Sequence, residues 1–352
     1  MTPAATPRPG LRDVPSYVSP QLAVTARLNT NECPVPLPDG FAEELADVLA
    51  TLPLNRYPDG QMTRLREELS ASVGHPVEGT WAANGSNEIL TQLLQAYGGV
   101  GRRAAVLEPT YLLHSRIAWL TQTEIVSLTL DDGFTLSQES VAAAVESRPD
   151  VVFVCSPNNP TGNAQPVAAV ASLAGRTDAL VIVDEAYIEF GGSSCLPLVA
   201  DHPNVVVTRT MSKAFALAGA RIGYALASPE VVEDLQRVRL PYHLSAITQA
   251  AGVAALRHVK EAIAILDEIR DERDRILSAL RAMPDVTVFP SDANFVLFVP
   301  PKPAADVWRG LLEHGVLIRD LSSVVPNALR VTAGTTHEVD LFLSALEEVL
   351  AA

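Results

Sequence analysis

One lysine stands out for its setting. Val205 to Ala227 reads Val-Val-Val-Thr-Arg-Thr-Met-Ser-Lys-Ala-Phe-Ala-Leu-Ala-Gly-Ala-Arg-Ile-Gly-Tyr-Ala-Leu-Ala, which puts Lys213 just past an apolar run and among small side chains. Burial disfavours an ammonium, so an amine in such a place gives up its proton readily and can attack a carbonyl to form a Schiff base. The other two lysines, Lys260 on a heavily charged segment and Lys302 between prolines, read as solvated. Lys213 is therefore the one candidate for imine chemistry. The competing reading is a lysine that caps a strand end and extends its ammonium to water.

Other reactive side chains fall directly after apolar runs. Glu108-Pro109-Thr110-Tyr111 follows Ala104 to Leu107, and Ser156-Pro157-Asn158-Asn159-Pro160-Thr161-Gly162 follows Val151 to Cys155. Asp184-Glu185-Ala186-Tyr187 follows Leu180 to Val183, and Thr208 to Lys213, with Thr210 and Ser212, follows Val205 to Val207. Each is open to a structural reading, since Asn-Pro builds turns and Asp caps helices. Gly85-Ser86-Asn87 precedes the periodic run Ile89, Leu90, Leu93, Leu94. Exposed amides, a hydroxyl and a helix dipole there suit a phosphate, although any well-capped helix looks the same. Arg319 and Arg330 lie at strand ends further on, where a planar fork suits a carboxylate or phosphate as well as water.

Pyridoxal 5'-phosphate, with its phosphate, pyridine ring and aldehyde, would use every member of this set. Asp184 is placed to keep the ring nitrogen protonated, Asn159 and Tyr187 to bond the ring hydroxyl, and Tyr111 to stack on the ring. Ser212 and Arg221 would join the Gly85, Ser86 and Asn87 group on the phosphate. Lys213 would hold the aldehyde and then serve as general base.

Positioning these groups requires a particular scaffold. Short β-branched runs at residues 104–107, 124–128, 151–155, 180–183 and 205–208 alternate with helical segments near 112–120, 138–147 and 165–174. That alternation predicts a mainly parallel sheet between helices, whose ligands bind beyond the carboxyl ends of the strands. Two more helices are predicted over 41–52 and from Thr63 to about Val73. The last third, with a long charged helix over 260–283, strands at 286–289, 294–298, 316–318 and 329–332 and helices at 303–313 and 337–350, reads as a smaller α+β unit. The expected division is an N-terminal arm over 1–30, a large domain over 31–250 and a small domain over 251–352. Within the polar stretch Arg27 to Pro34, the amides of Asn29 and Asn31 either serve a site or build turns.

Bulk properties narrow the partners. The 352 residues carry a net charge of −15, which argues against nucleic acid and anionic membrane. Cys33, Cys155 and Cys195 are too scattered for a metal site or disulfide framework, and no signal peptide or membrane-length apolar run is read. The expectation is a cytoplasmic protein without a metal. A nicotinamide-dependent enzyme is disfavoured for want of a Gly-x-Gly-x-x-Gly loop, and a regulatory cofactor-binding protein for want of a DNA-binding module.

The ordered motifs Asn-Asn-Pro-Thr-Gly, Asp-Glu-Ala-Tyr, Ser-Lys-Ala-Phe, Ala-Gly-Ala-Arg-Ile-Gly-Tyr and Leu-Arg-Val-Thr-Ala-Gly-Thr resemble those of the fold-type I, class II aminotransferases. The resemblance is nearest to histidinol-phosphate aminotransferases of the actinobacterial type and runs from about Tyr17 onward. It implies a large domain with a seven-stranded sheet, a pyridoxal phosphate cofactor, and ping-pong transfer between an amino donor, histidinol phosphate, and a 2-oxo acid. It further implies a homodimer with shared sites, in which Tyr57 reaches the neighbouring subunit's cofactor phosphate. By the same resemblance Tyr17, Asn31, Arg319 and Arg330 face the substrate. The chain departs from the pattern at Cys33 in Asn-Glu-Cys-Pro and at Leu112-Leu113-His114, both on the substrate side. The alternatives are an aromatic amino-acid aminotransferase, a specialised-pathway relative, or a decarboxylase of amino-acid phosphates on the same scaffold.

Overall fold

Four of the β-branched runs have no polar face to show to water, and the computed structural model stacks them in the middle of one sheet, with the fifth, over 124–128, at its edge. It describes residues 5–16, 20–36 and 38–352, without the side chains of 39 and 260–263. In chain order the strands are β1 (Ala26–Arg27), β2 (Thr80–Ala83), β3 (Arg103–Glu108), β4 (Glu124–Thr129), β5 (Val151–Cys155), β6 (Leu180–Asp184) and β7 (Val205–Thr210). They continue with β8 (Gly223–Leu226), β9 (Thr287–Val288), β10 (Phe295–Val299), β11 (Val316–Leu317), β12 (Arg319–Asp320) and β13 (Leu329–Thr332). The α-helices are α1 (Asp39–Thr51), α2 (Thr63–Val73), α3 (Ser86–Tyr97), α4 (Leu113–Leu120), α5 (Gln138–Glu146) and α6 (Val167–Ala174). After these come α7 (Pro229–Val238), α8 (Ala246–Arg257), α9 (Val259–Ala282), α10 (Ala304–Glu313) and α11 (Thr336–Ala351).

A seven-stranded sheet runs in the order β2-β8-β7-β6-β5-β3-β4. Neighbours from β4 through β7 are parallel, as the alternating pattern requires, and β8 is antiparallel to both β7 and β2. The carboxyl ends of β3, β5, β6 and β7 therefore share one edge. The order turns back between β3 and β5, which opens a crevice at that edge. Strands β2 and β8 escape the sequence reading because Thr-Trp-Ala-Ala and Gly-Tyr-Ala-Leu hold no β-branched run.

A second sheet, β12-β13-β10-β9, is antiparallel throughout, and the arm joins this region as β1 pairs in parallel with β11. Helix α11 starts on a capping box in which Thr335 and Glu338 satisfy each other's backbone N–H groups. Two apolar cores result. One spans Phe41 to Leu256 around the large sheet, and the other joins Leu28, Phe295, Phe298, Val307 and Phe342. By packing, the chain changes core between Leu256 and Leu266. Tyr187 and Ala214, from loops of the large sheet, belong to the second core. The strand ends of the large sheet thus meet the small sheet along a seam. Among the described residues no helix is long and apolar enough to cross a membrane.

Candidate active site

Lys213 sits three residues beyond β7, half-buried, with its Nζ donating to the carbonyl of Thr30 at 2.9 Å. Burial, with the guanidinium groups of Arg330 and Arg221 nearby, brings its ammonium down to about 8. About a tenth is therefore free amine at pH 7 and half near pH 8, far more than for an ordinary lysine, as a nucleophile or base needs.

At the end of β6 Asp184 is only 2% exposed, and its Oδ2 meets Nε2 of His114 at 3.1 Å. Thr208 donates to its other oxygen at 3.4 Å. His114 is wholly buried, stacked on Phe153 at 4.6 Å and edge-on to Tyr111 at 5.5 Å. The next residue, Glu185, faces the other way and anchors the turn. It accepts from Ser194 Oγ, from the Cys195 amide at 2.5 Å and from Arg209 Nε at 3.0 Å. Burying this ion pair is tolerable because the carboxylate's lone pairs are met by donors. The Asp-Glu-Ala-Tyr turn is thereby held from below while Asp184 and Tyr187 point into the crevice edge.

Tyr187 is buried, which pushes its phenol up to about 12. Its hydroxyl oxygen accepts from Asn31 Nδ2 at 3.0 Å and Asn159 Nδ2 at 3.4 Å. Arg330, 7% exposed on β13, donates to Asn159 Oδ1 at 2.6 Å and to the Asn29 carbonyl at 3.1 Å, with its guanidinium 4.9 Å from the centre of the Phe295 ring. Arg319 stands opposite Arg330 in the β12–β13 pairing, so both arginines present the same sheet face.

An anion cradle lies at the start of α3. Gly85, at φ 88°, precedes the helix, and a Cβ on it would sit 2.5 Å from an Arg221 guanidinium nitrogen. A Cβ on Gly223 would sit 2.1 Å from the Ser86 backbone nitrogen, so only glycine lets β8 pass this close. Arg221 also donates to Ser212 Oγ at 3.1 Å, and Tyr111 donates to Asn87 Oδ1 at 3.3 Å. Thr210 is buried and accepts from the Ser212 amide at 3.1 Å. Tyr111 is thus bonded to Asn87, Ser212 to both Thr210 and Arg221, and Arg221 lies against Gly85, so that a helix N-terminus and a guanidinium converge at one point, with Lys213 the next residue after Ser212.

Asn31 enters this arrangement differently from its sequence expectation, because each of its four polar atoms has a protein partner. Tyr57 is 80% exposed and stacked on Tyr242 at 4.5 Å, on the outer surface of the chain. Tyr17 lies outside the described residues. Sequence reasoning missed His114, Thr332 and Arg209. For His114 the signal was its spacing, one helical turn after Tyr111. For Thr332 it was alternation from Arg330 along a strand.

A family model described as aminotransferase class I and II matches residues 25–346. A histidinol-phosphate aminotransferase of Thermobifida fusca is 48% identical over 96% of this chain and 94% of its own length. That of Streptomyces avermitilis is 49% identical over 97% of this chain and 96% of its own. Among solved structures, the histidinol-phosphate aminotransferase of Sinorhizobium meliloti in complex with pyridoxal-5'-phosphate superposes with a TM-score of 0.84. It covers 93% of this chain and 91% of its own at 24% identity, a likeness of fold.

Proposed function

The chain belongs to the class I and II aminotransferases, and from that premise we propose that it moves the amino group of histidinol phosphate to 2-oxoglutarate using pyridoxal 5'-phosphate. The residues fit that cofactor. The Arg221 guanidinium lies against Gly85 at the start of α3, where a helix N-terminus suits a phosphate, Asp184 offers a buried carboxylate, and Lys213 offers an amine of lowered basicity. When bound, the cofactor supplies an electron sink for the carbon from which the proton is taken.

In this reading Ser86, Asn87, Thr210, Ser212 and Arg221 hold the phosphate, and Tyr111 covers one ring face. Asp184 keeps the ring nitrogen protonated, steadied by His114. Tyr187 and Asn159 hold the ring hydroxyl. Nζ of Lys213 would hold the cofactor's aldehyde carbon and, as a free amine, would take the proton from the substrate's amino-bearing carbon. Arg330 and Arg319 bind the substrate's anionic end. The first core and the sheet around it form the cofactor domain, the second the substrate-side domain. A homodimer lets the exposed Tyr57 serve the neighbouring site, and the setting is the cytoplasm.

The observation that carries the substrate class is the pair of arginines opposite each other on β12 and β13. An anion held between them would bond both planar forks and offset the repulsion of like charges so placed. The test is a half-reaction: cofactor-loaded enzyme is mixed separately with histidinol phosphate, phenylalanine and glutamate, and its visible spectrum followed. Histidinol phosphate should convert the cofactor to its amine form at least tenfold faster than phenylalanine. The reverse order would make the protein an aromatic aminotransferase, and carbon dioxide release without use of a 2-oxo acid would make it a decarboxylase.

A further inference from the structure

Two residues on β13 reach the same tyrosine by different routes. Arg330 and Thr332 are separated by one residue on a strand, so their side chains share a face. Arg330 holds Asn159 Oδ1, and Asn159 Nδ2 donates to Tyr187. Thr332 Oγ1 donates to Asn31 Oδ1 at 3.0 Å and accepts from the Asn31 amide at 3.1 Å, and Asn31 Nδ2 donates to Tyr187. The result is a closed polar ring, Tyr187–Asn31–Thr332–Arg330–Asn159, closed between Thr332 and Arg330 by the strand itself. Asn31 adopts φ 54°, a conformation an asparagine accepts more readily than most residues, and Asn294 Nδ2 caps its carbonyl at 3.3 Å. Asn31, Asn294 and Thr332 are all buried, at 2% exposure or less.

We propose that Asn31 and Thr332 are positioning residues: through this ring they fix the Tyr187 hydroxyl as a donor toward the cofactor's ring oxygen and tie it to the strand that carries the substrate-binding arginine. With Asn31 and Asn159 as donors, the phenol oxygen has its acceptor positions filled, so its own hydrogen must point elsewhere. Two amides bonded to the oxygen also make the phenol a stronger donor, because hydrogen bonds polarise one another along a chain. Asn31 thus acts on the cofactor through Tyr187 and need not touch substrate. Thr332 in turn holds Asn31 in the left-handed conformation that aims its amide. A shift of β13 when Arg330 takes up an anion would pass along both arms of the ring.

This inference rests on the reading of the protein as a pyridoxal phosphate enzyme. It is tested by titrating the visible absorbance of the resting, cofactor-loaded wild type, Thr332→Val, Thr332→Ser and Asn31→Ala against pH, with cofactor dissociation constants measured alongside. A wild type that takes up no cofactor would overturn the functional reading itself. If it does take it up, Thr332→Val should raise the chromophore's titration midpoint by about half a unit to one unit, because a weakened Tyr187 donor stabilises the ring oxygen's anion less. It should also lower kcat about five- to tenfold, the usual worth of one net hydrogen bond, with a smaller change in KM. Thr332→Ser should restore both, since it keeps the hydroxyl. Asn31→Ala should move the midpoint further than Thr332→Val. Unchanged midpoints in folded, cofactor-loaded Thr332→Val, or no rescue by serine, would overturn the ring as a positioning device and leave it as packing.

Discussion

The edge of the large sheet and the seam with the small sheet are built by opposite strategies. At the edge, Tyr111, Asn159, Asp184 and Lys213 each follow their own strand by a few residues, and parallel pairing brings them together without further instruction. At the seam, Asn31 meets Thr332 across 301 residues of chain, and Arg330 meets Asn159 across 171. The edge is rigid because the strands behind it are wholly buried, whereas the seam is held by side-chain hydrogen bonds between an arm, a small sheet and a loop. Cofactor chemistry placed on the edge can stay fixed while the seam is retuned for different substrates. Both departures from the family pattern noted in the sequence, at Cys33 and at Leu112-Leu113-His114, were expected on the substrate side. The structure divides them. Cys33 lies beside the second core, and His114 is bonded to Asp184 at the edge of the large sheet.

The sharpest break of this contrast is Lys213→Ala, which removes the edge's reactive group and, from the seam, only the bond to the Thr30 carbonyl. Turnover should fall by at least about 10⁴-fold, the upper range for loss of a general base, while the anionic substrate still binds. In the wild type, the rate of cofactor capture by the cofactor-free protein should fall about tenfold per pH unit below about 8, as the Nζ takes up a proton. The sign follows from burial and the two guanidinium groups, which disfavour the ammonium and leave the reactive free amine dominant above that pH. Activity retained in Lys213→Ala would remove the mechanism.

On the other side of the contrast, Arg330→Ala should lower kcat/KM for the anionic substrate about 30- to 100-fold, the range for a charge-assisted hydrogen bond, with the loss mainly in KM. Cofactor affinity should change far less. Since Arg330 helps to depress the Lys213 ammonium, the capture-rate midpoint should also move to higher pH. Equal losses of substrate and cofactor binding would mean that edge and seam are one unit.

The legibility of the sequence follows the same division. Strand ends are legible because an apolar β-branched run and the residue after it are adjacent in the chain, which is how Lys213 and Asp184 came to be singled out. The second sheet, β9 to β13, was also legible as elements, and Arg330 as a fork at a strand end. Its hydrogen-bond partners were not. Nothing local in Asn29-Thr30-Asn31 says whether an amide builds a turn or meets a distant threonine, and Asn31 was read as a substrate ligand although its polar atoms are taken by Thr332, Tyr187 and Asn294. Strands β2 and β8 were missed for a related reason. In β8, Gly223 is dictated by the close approach to the α3 N-terminus, a tertiary demand that leaves no periodic mark.

His114 is the residue that refines the contrast most finely, since a residue noted only as a departure from the substrate pattern proves to brace the edge. His114→Phe keeps an aromatic ring against Phe153 and deletes the bond to Asp184. A buried carboxylate that loses one donor is held by Thr208 and its own strand alone. The cofactor's dissociation constant should then rise about five- to tenfold, corresponding to roughly 1 kcal/mol for a net hydrogen bond. KM for the anionic substrate should stay within about twofold, because the seam's hydrogen bonds do not include His114. An unchanged cofactor affinity would mean that β6 and Thr208 suffice to aim Asp184, and that the imidazole is there to fill space. A raised KM with unchanged cofactor affinity would return His114 to the substrate side, and with it the reading of Leu112-Leu113-His114 as a specificity element.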